Sequence, residues 1–258
     1  MDAESKVSDF GALAAFATAL GRLSVVDLSP TLYTNMQQWA THPDVAIVPN
    51  ARNFKQDNYF LQTLVMPEHS GSHVDAPAHV LPDRANETID TFAPTVLWGP
   101  AKKVDLSDKK WLPGDLVSVD YFRAKVDEQR INIEENDILL VEFGWDRYLV
   151  GVDVDHAKGR WWGGNMPGFS DALCRYIASL RPRAVGTDTA ACDIAAVDGR
   201  VVTEEWGHRR DFLPNGILIL EGIVNLAKMP TEFYFIALPL KIRGGSGSPL
   251  RVIGLVPA

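Results

Sequence analysis

Three of the chain's six histidines fall in one short run, His69-Ser-Gly-Ser-His73-Val-Asp75-Ala-Pro77-Ala-His79. Strand side chains alternate with period two, so the odd-numbered His69, His73, Asp75 and His79 leave an extended chain from one face. Fully extended, His69 and His79 would stand roughly 33 Å apart. The segment must therefore bend for all four to meet, and Gly71 and Pro77 are suited to bending it. A helix is the poorer reading: His69 and His73 would stack at i and i+4, but Asp75 would point away and Pro77 would break the helix before His79. The motif belongs on a strand end and the turn after it.

Imidazole nitrogen combined with carboxylate oxygen suits zinc first, and also manganese or iron(II), whereas calcium prefers oxygen alone. A lone His-x-x-x-His is more often structural; three histidines with an aspartate favour a metal. A divalent ion lowers the pKa of water to about 7 and would make a nucleophile available near neutral pH. His42 and His156 lie outside this ligand set. Gly244-Gly-Ser-Gly-Ser248 lacks the strand-to-helix context of a phosphate loop and reads as a tight loop. Cys192 has no adjacent His or basic helix terminus and reads as an inert core thiol. Asp188 follows the apolar run Ala184 to Thr187, where a turn or capping role is as suitable as support of the site.

Positioning such a motif requires a sheet. Short β-rich runs recur at Leu23–Leu28, Tyr59–Met66, Lys103–Leu106, Ile138–Phe143, Ala184–Thr187, Ile217–Val224, Phe233–Ile242 and Val252–Val256. Several are apolar without alternation, as in strands covered on both faces. Helical patterns are fewer: Val119–Val126, Ser170–Leu180 with Ser170 as N-cap, and an N-terminal helix over about residues 8–21. In the last, Phe10, Leu13, Phe16 and Leu20 form a stripe expected to pack on the domain or on a partner subunit. The fold class is mixed α/β around a central sheet, with residues 1–258 as a single domain. Asn35 to Asp57 reads as the longest irregular stretch and a candidate lid or substrate wall.

Composition narrows the function. The 258 residues carry a net charge of -8 and no basic run, which argues against nucleic acid. No apolar run approaches the about 20 residues that span a bilayer. Cys174 and Cys192 are too few for a disulfide framework and fit a reducing cytoplasm.

The motif resembles the signature of the kynurenine formamidase or cyclase-like family of metal-dependent hydrolases, which also contains the isatin hydrolases: His-x-Gly-Thr-His-x-Asp-x-Pro-x-His. This chain departs only by Ser72 for Thr, which keeps the hydroxyl. The resemblance continues through Gly186-Thr-Asp188, His208 to Glu221-Gly, Asn225-Leu226 and Leu238 to Arg251. It implies a compact swivelling β/α fold, a homodimer or homotetramer, and hydrolysis of a carbon–nitrogen bond beside an aromatic system in a small-molecule amide such as N-formylkynurenine or isatin. A lactone or ester hydrolase, or a non-catalytic metal- or ligand-binding protein, are the alternatives. The resemblance further implies one or two ions, Zn2+ or Mn2+, per chain. The first would sit on His69, His73 and Asp75; a second would share Asp75 with His79, His208 and Glu221. Glu221 also follows the apolar strand Gly216 to Leu220, where an ionised carboxylate needs a partner or a metal. His79, His208 and Glu221 are the candidates for acid and base roles. One or two of Phe60, Trp145, Trp161, Trp162 and Phe212 are expected to line an aryl pocket.

Overall fold

The apolar runs become strands of one large sheet in a computed structural model that describes residues 10–149, 160–204 and 206–258. The strands of three or more residues are β1 (Leu23–Asp27), β2 (Ala46–Arg52), β3 (Leu61–Val65), β4 (His73–Asp75), β5 (Trp98–Asp105), β6 (Ile138–Glu142), β7 (Ala184–Thr187), β8 (Leu218–Glu221), β9 (Glu232–Ala237), β10 (Gly247–Pro249) and β11 (Val252–Pro257). Nine of them pair in the order β1-β11-β9-β5-β6-β7-β8-β4-β10. The four strands β5 to β8 run parallel and the flanking pairs antiparallel, so the sheet is mixed and the chain is a single α/β domain, consistent with the swivelling type. β2 and β3 form a separate hairpin.

The unalternating strands are explained by burial on both faces. Leu139, Val141, Val185 and Ile219 enter one core cluster, and the intervening Ile138, Leu140, Ala184, Leu218 and Leu220 enter the other. Each such Leu, Ile or Val side chain contributes about 1.5–3 kcal/mol when fully buried, and Ala184 less. The first cluster is closed by α2 (Val119–Glu128) and α3 (Asp171–Leu180), through Phe122, Leu173 and Ile177. Ser118 and Ser170 cap these helices by accepting from the backbone N–H of Tyr121 and Leu173. With both faces filled, the ends of β4, β7 and β8 are held rigidly, and the polar cluster lies there.

The N-terminal helix, α1 (Phe10–Leu20), forms with Leu13 and Phe16 59% and 62% exposed, so of the two expected coverings of its stripe, the domain or a partner subunit, the described residues of this chain do not supply the first. The helix leads into β1, the edge strand of the sheet. The stretch Asn35 to Asp57 is less irregular than it reads, since it holds β2 and a helical turn at Phe54–Asp57. Pro49 and Asn50 interrupt the β pattern there, and the hairpin register shifts between Val48 and Arg52. His156 lies outside the described residues.

Candidate metal centre

β4 brings the motif to the site as a strand followed by a turn. His73 and Asp75 are two apart on it and share a face; β8 pairs alongside with Glu221 opposite His73 and Ile219 opposite Asp75. The bend at Gly71 has φ +64°, and a Cβ there would lie 2.9 Å from Leu32 Cδ2. Gly222, directly after Glu221, has φ +62°, and a Cβ there would meet the Gly71 carbonyl oxygen at 2.6 Å. Only glycine tolerates both the left-handed backbone and this approach. The Ser72 hydroxyl locks the junction by donating to the Gly222 carbonyl at 2.7 Å. Pro77 starts the 3-10 turn Pro77–His79, which folds His79 back until its ring centroid is 4.0 Å from that of His69.

Residues far along the chain complete the cluster. His208 opens a π-helical turn, His208–Phe212. Its Nε2 lies 3.1 Å from both Asp75 Oδ2 and Glu221 Oε1. On the other side of Asp75, Oδ1 is 2.7 Å from His69 Nδ1. Glu221 Oε2 is 3.1 Å from His73 Nε2. All six predicted residues thus line one cavity. Ligand atoms of His69, Asp75 and His79, and separately those of Asp75, His208 and Glu221, lie within 4.8 Å of one another.

The charges are tightly coupled. Burial would raise the Asp75 carboxyl, but His69 and His208 beside it hold it well below the usual carboxylate range. Burial disfavours the His208 cation, yet Asp193, Asp75 and Glu221 together lift its pKa well above that of ordinary histidine. His73 is likewise raised, burial being outweighed by Glu221 and Asp75. Burial lowers His79, with Asp75 offsetting part of the effect.

This donor set fits a divalent cation. Asp75 and Glu221 are 1% and 5% exposed, and among the described residues no Lys or Arg pairs with either. Their charged partners are histidines alone, so the two buried carboxylates need either protonated rings or a metal cation in place of those protons, because desolvation of an uncompensated charge is costly. His73 Nε2, buried and close to Glu221, is nevertheless left without an aligned hydrogen bond. The ring's Nδ1 lies 2.9 Å from the Gly71 carbonyl oxygen, which places a proton there, so in the neutral ring Nε2 is an acceptor, as a metal ligand must be.

Several participants escape the local sequence pattern. Asp193, fully buried, accepts from His208 Nδ1 in a very short contact and from the His208 backbone N–H at 2.7 Å, which fixes the ring and its tautomer. Ser246, in the tight loop, lies 2.9 Å from His69 Nε2 while its hydroxyl donates to Glu68 at 2.7 Å. An Asp after a cysteine and a Ser among glycines carry no local mark of these contacts. His42, placed outside the ligand set, belongs to neither candidate ligand group but lines the cavity.

The aromatic wall is also different from the expected one. Trp145 and Phe212 are wholly buried in the core, Trp162 nearly so, Trp161 stacks on Trp145 at 5.8 Å, and Phe60 lies exposed beside the β2–β3 hairpin. None of these five lines the cavity; Trp39 and Trp206 do. Aromatic residues have large areas to bury, and the core takes most of them. Trp39 lies within Asn35 to Asp57, so part of that stretch is indeed a wall. Asp188 serves the scaffold, accepting from the backbone N–H groups of Phe143, Trp145 and Asp146. Burial raises the Cys192 thiol well above its ordinary range, in keeping with an inert core residue.

Comparison with known proteins agrees with this fold. The model of the family called Cyclase matches residues 26–194. The chain is 27% identical to an isatin hydrolase of Roseibium aggregatum over 100% of this chain and 99% of the relative. It is also 27% identical to a kynurenine formamidase of Salinibacter ruber, covering 90% of this chain and 97% of that one. A crystal structure of an isatin hydrolase bound to the product analogue thioisatinate superposes with a TM-score of 0.83 at 26% identity, covering 98% of this chain and 100% of that chain.

Proposed function

This chain belongs to the cyclase family, with kynurenine formamidases and isatin hydrolases among its relatives, and from that premise we propose that it hydrolyses an amide C–N bond beside an aromatic ring. At the coarser level, a buried His/Asp/Glu cluster able to bind a metal supports metal-dependent amide hydrolysis. The observation that carries the reading is the convergence of all six motif and distal residues on one cavity.

In this proposal His69, His73 and Asp75 hold one Zn2+ or Mn2+, and Asp75, His79, His208 and Glu221 hold a second where two bind. The ion supplies an activated water and polarises the carbonyl. The chain's residues do the rest. Asp193 keeps a His208 proton on Nδ1, so when a metal replaces the Nε2 proton that faces Asp75 and Glu221, Nε2 would present its lone pair to the site. Where one ion binds, His79 would take a proton from the attacking water and pass it to the departing nitrogen; its ring makes no hydrogen bond to any described residue and stands at the cavity wall. Trp39 and Trp206 supply apolar surface for an aryl group and exclude water from it.

The wider setting is part of the same proposal. Two free, buried cysteines support residence in the cytoplasm, and among the described residues no helix is long and apolar enough to cross a membrane. The exposed Phe54, Phe60, Leu61 and Leu64 at the hairpin, with the uncovered stripe of α1, support a homodimer or homotetramer.

Metal analysis followed by a substrate panel tests the function. The reconstituted protein should hold between one and two equivalents of zinc or manganese and hydrolyse an aryl formamide or isatin, with activity lost to a chelator and restored by metal. Less than half an equivalent, or turnover of lactones with no amide cleaved, would overturn it.

A further inference from the structure

Resting on the amide reading above, we propose that His42 is a substrate-binding residue that accepts a hydrogen bond from the N–H of an aryl amide or lactam, and so selects such substrates over esters and N-alkyl amides. His42 lines the cavity, with its ring centroid 6.0 Å from that of His69. Its Nδ1 lies 3.2 Å from the His69 carbonyl oxygen. A carbonyl can only accept, so in this contact Nδ1 carries the proton. In the neutral ring Nε2 is then an acceptor, and it makes no hydrogen bond to any described residue.

The loop that carries the ring is held firmly. The Arg160 guanidinium donates to the carbonyls of Ala40 at 2.7 Å and His42 at 2.8 Å, and pairs with Asp44 at 2.7 Å. Gln38 donates to the Pro43 carbonyl at 2.7 Å. His42 is therefore oriented through its own backbone and through Nδ1 before any substrate arrives.

Among the described residues, no lining side chain outside the six candidate ligands offers a competing acceptor. Apart from the six candidate ligands, the other lining side chains are aliphatic or are Trp39 and Trp206, whose indoles only donate. A substrate N–H meeting this wall finds its partner in His42 Nε2. An ester oxygen in the same place would set lone pair against lone pair, and an N-methyl group would leave Nε2 unpaired.

Calorimetric binding to the zinc-loaded protein tests the assignment with oxindole, a lactam bearing N–H, against N-methyloxindole. Two variants divide the ring's functions. His42→Asn keeps a donor at the Nδ1 position for the His69 carbonyl and lacks the outer acceptor; His42→Gln places an amide oxygen where Nε2 stood. Wild type should favour oxindole about tenfold, His42→Gln should retain most of that preference, and His42→Asn should abolish it. The proposal is overturned if neither ligand binds, if wild type does not discriminate, if His42→Asn still does, or if both variants lose the preference equally. Isatin hydrolysis on the same samples separates the two levels. His42-dependent discrimination without amide turnover leaves this assignment standing and removes the amide reading; turnover without that discrimination does the reverse.

Discussion

Replacing Asp193 by Asn asks whether the carboxylate behind His208 tunes a metal ligand or only fills the core. One carboxylate oxygen accepts from His208 Nδ1 and the other from the His208 backbone N–H at 2.7 Å, in a fully buried setting. An Asn amide offers one acceptor. Whichever way it turns, its NH2 faces one of two donors, and that donor is left unsatisfied at about 1–3 kcal/mol. A ring freed to rotate or change tautomer should bind an ion about 10–100-fold more weakly. In binding energy this is about 1.4–2.8 kcal/mol. Melting curves recorded with chelator and with a fixed excess of zinc separate the two effects, because metal adds stability in proportion to the logarithm of its affinity. Asp193→Asn should lower the metal-free stability and also shrink the zinc-dependent increment by about 1.4–2.8 kcal/mol. If both curves fall together and the increment is unchanged, Asp193 is merely structural and the coupling to His208 is refuted.

Glu221→Gln keeps the shape but removes the charge between His73 and His208, so the occupancy of a second ion should fall with activity while the first ion remains; unchanged metal with one flattened limb of the pH–rate profile would instead identify Glu221 as an acid or base beside a single ion. His73→Ala should strip most metal and activity by elemental analysis and turnover, whereas His156→Ala should strip neither; equal behaviour of the two would show the ligand assignment to be wrong. Asp188→Asn puts an NH2 against backbone donors from Phe143 or Trp145 and should destabilise the fold by about 1–3 kcal/mol in denaturant titrations, a loss absent if those N–H groups are paired otherwise. Burial, aided by Asp146 and Glu142, pushes the Asp188 carboxyl up to about 7. The native state then holds the proton that the unfolded state has released, so this residue's contribution to stability should fall as pH rises from about 4 to 7. Parallel wild-type and Asn titrations that show no difference in pH slope would contradict that.

The sequence by itself determined whatever depends on neighbouring backbone geometry. Period two put His73 and Asp75 on one face of β4, Gly71 and Pro77 supplied the bends on either side, and unalternating apolar runs marked strands buried on both faces. Ser170 announced its helix in the same way, because a cap acts within three residues of itself. Glu221 was marked locally as a carboxylate ending an apolar strand, but its place beside Asp75, like that of His208, was legible only through resemblance to a family, since nothing near either residue in the chain refers to Asp75. Tertiary structure decided the rest. The pairing of β8 with β4 sets Glu221 opposite His73, and the π-helical turn delivers His208 to Asp75. Asp193 behind His208, Ser246 against His69 and His42 on the wall became visible only there. So did the exchange of the expected aromatic residues for Trp39 and Trp206. Local patterns report which face of its own element a side chain takes, because that follows from φ and ψ. Which distant element lies across from that face follows from how two cores fill both sides of a sheet, a sum of many small packing terms that no short stretch of sequence contains.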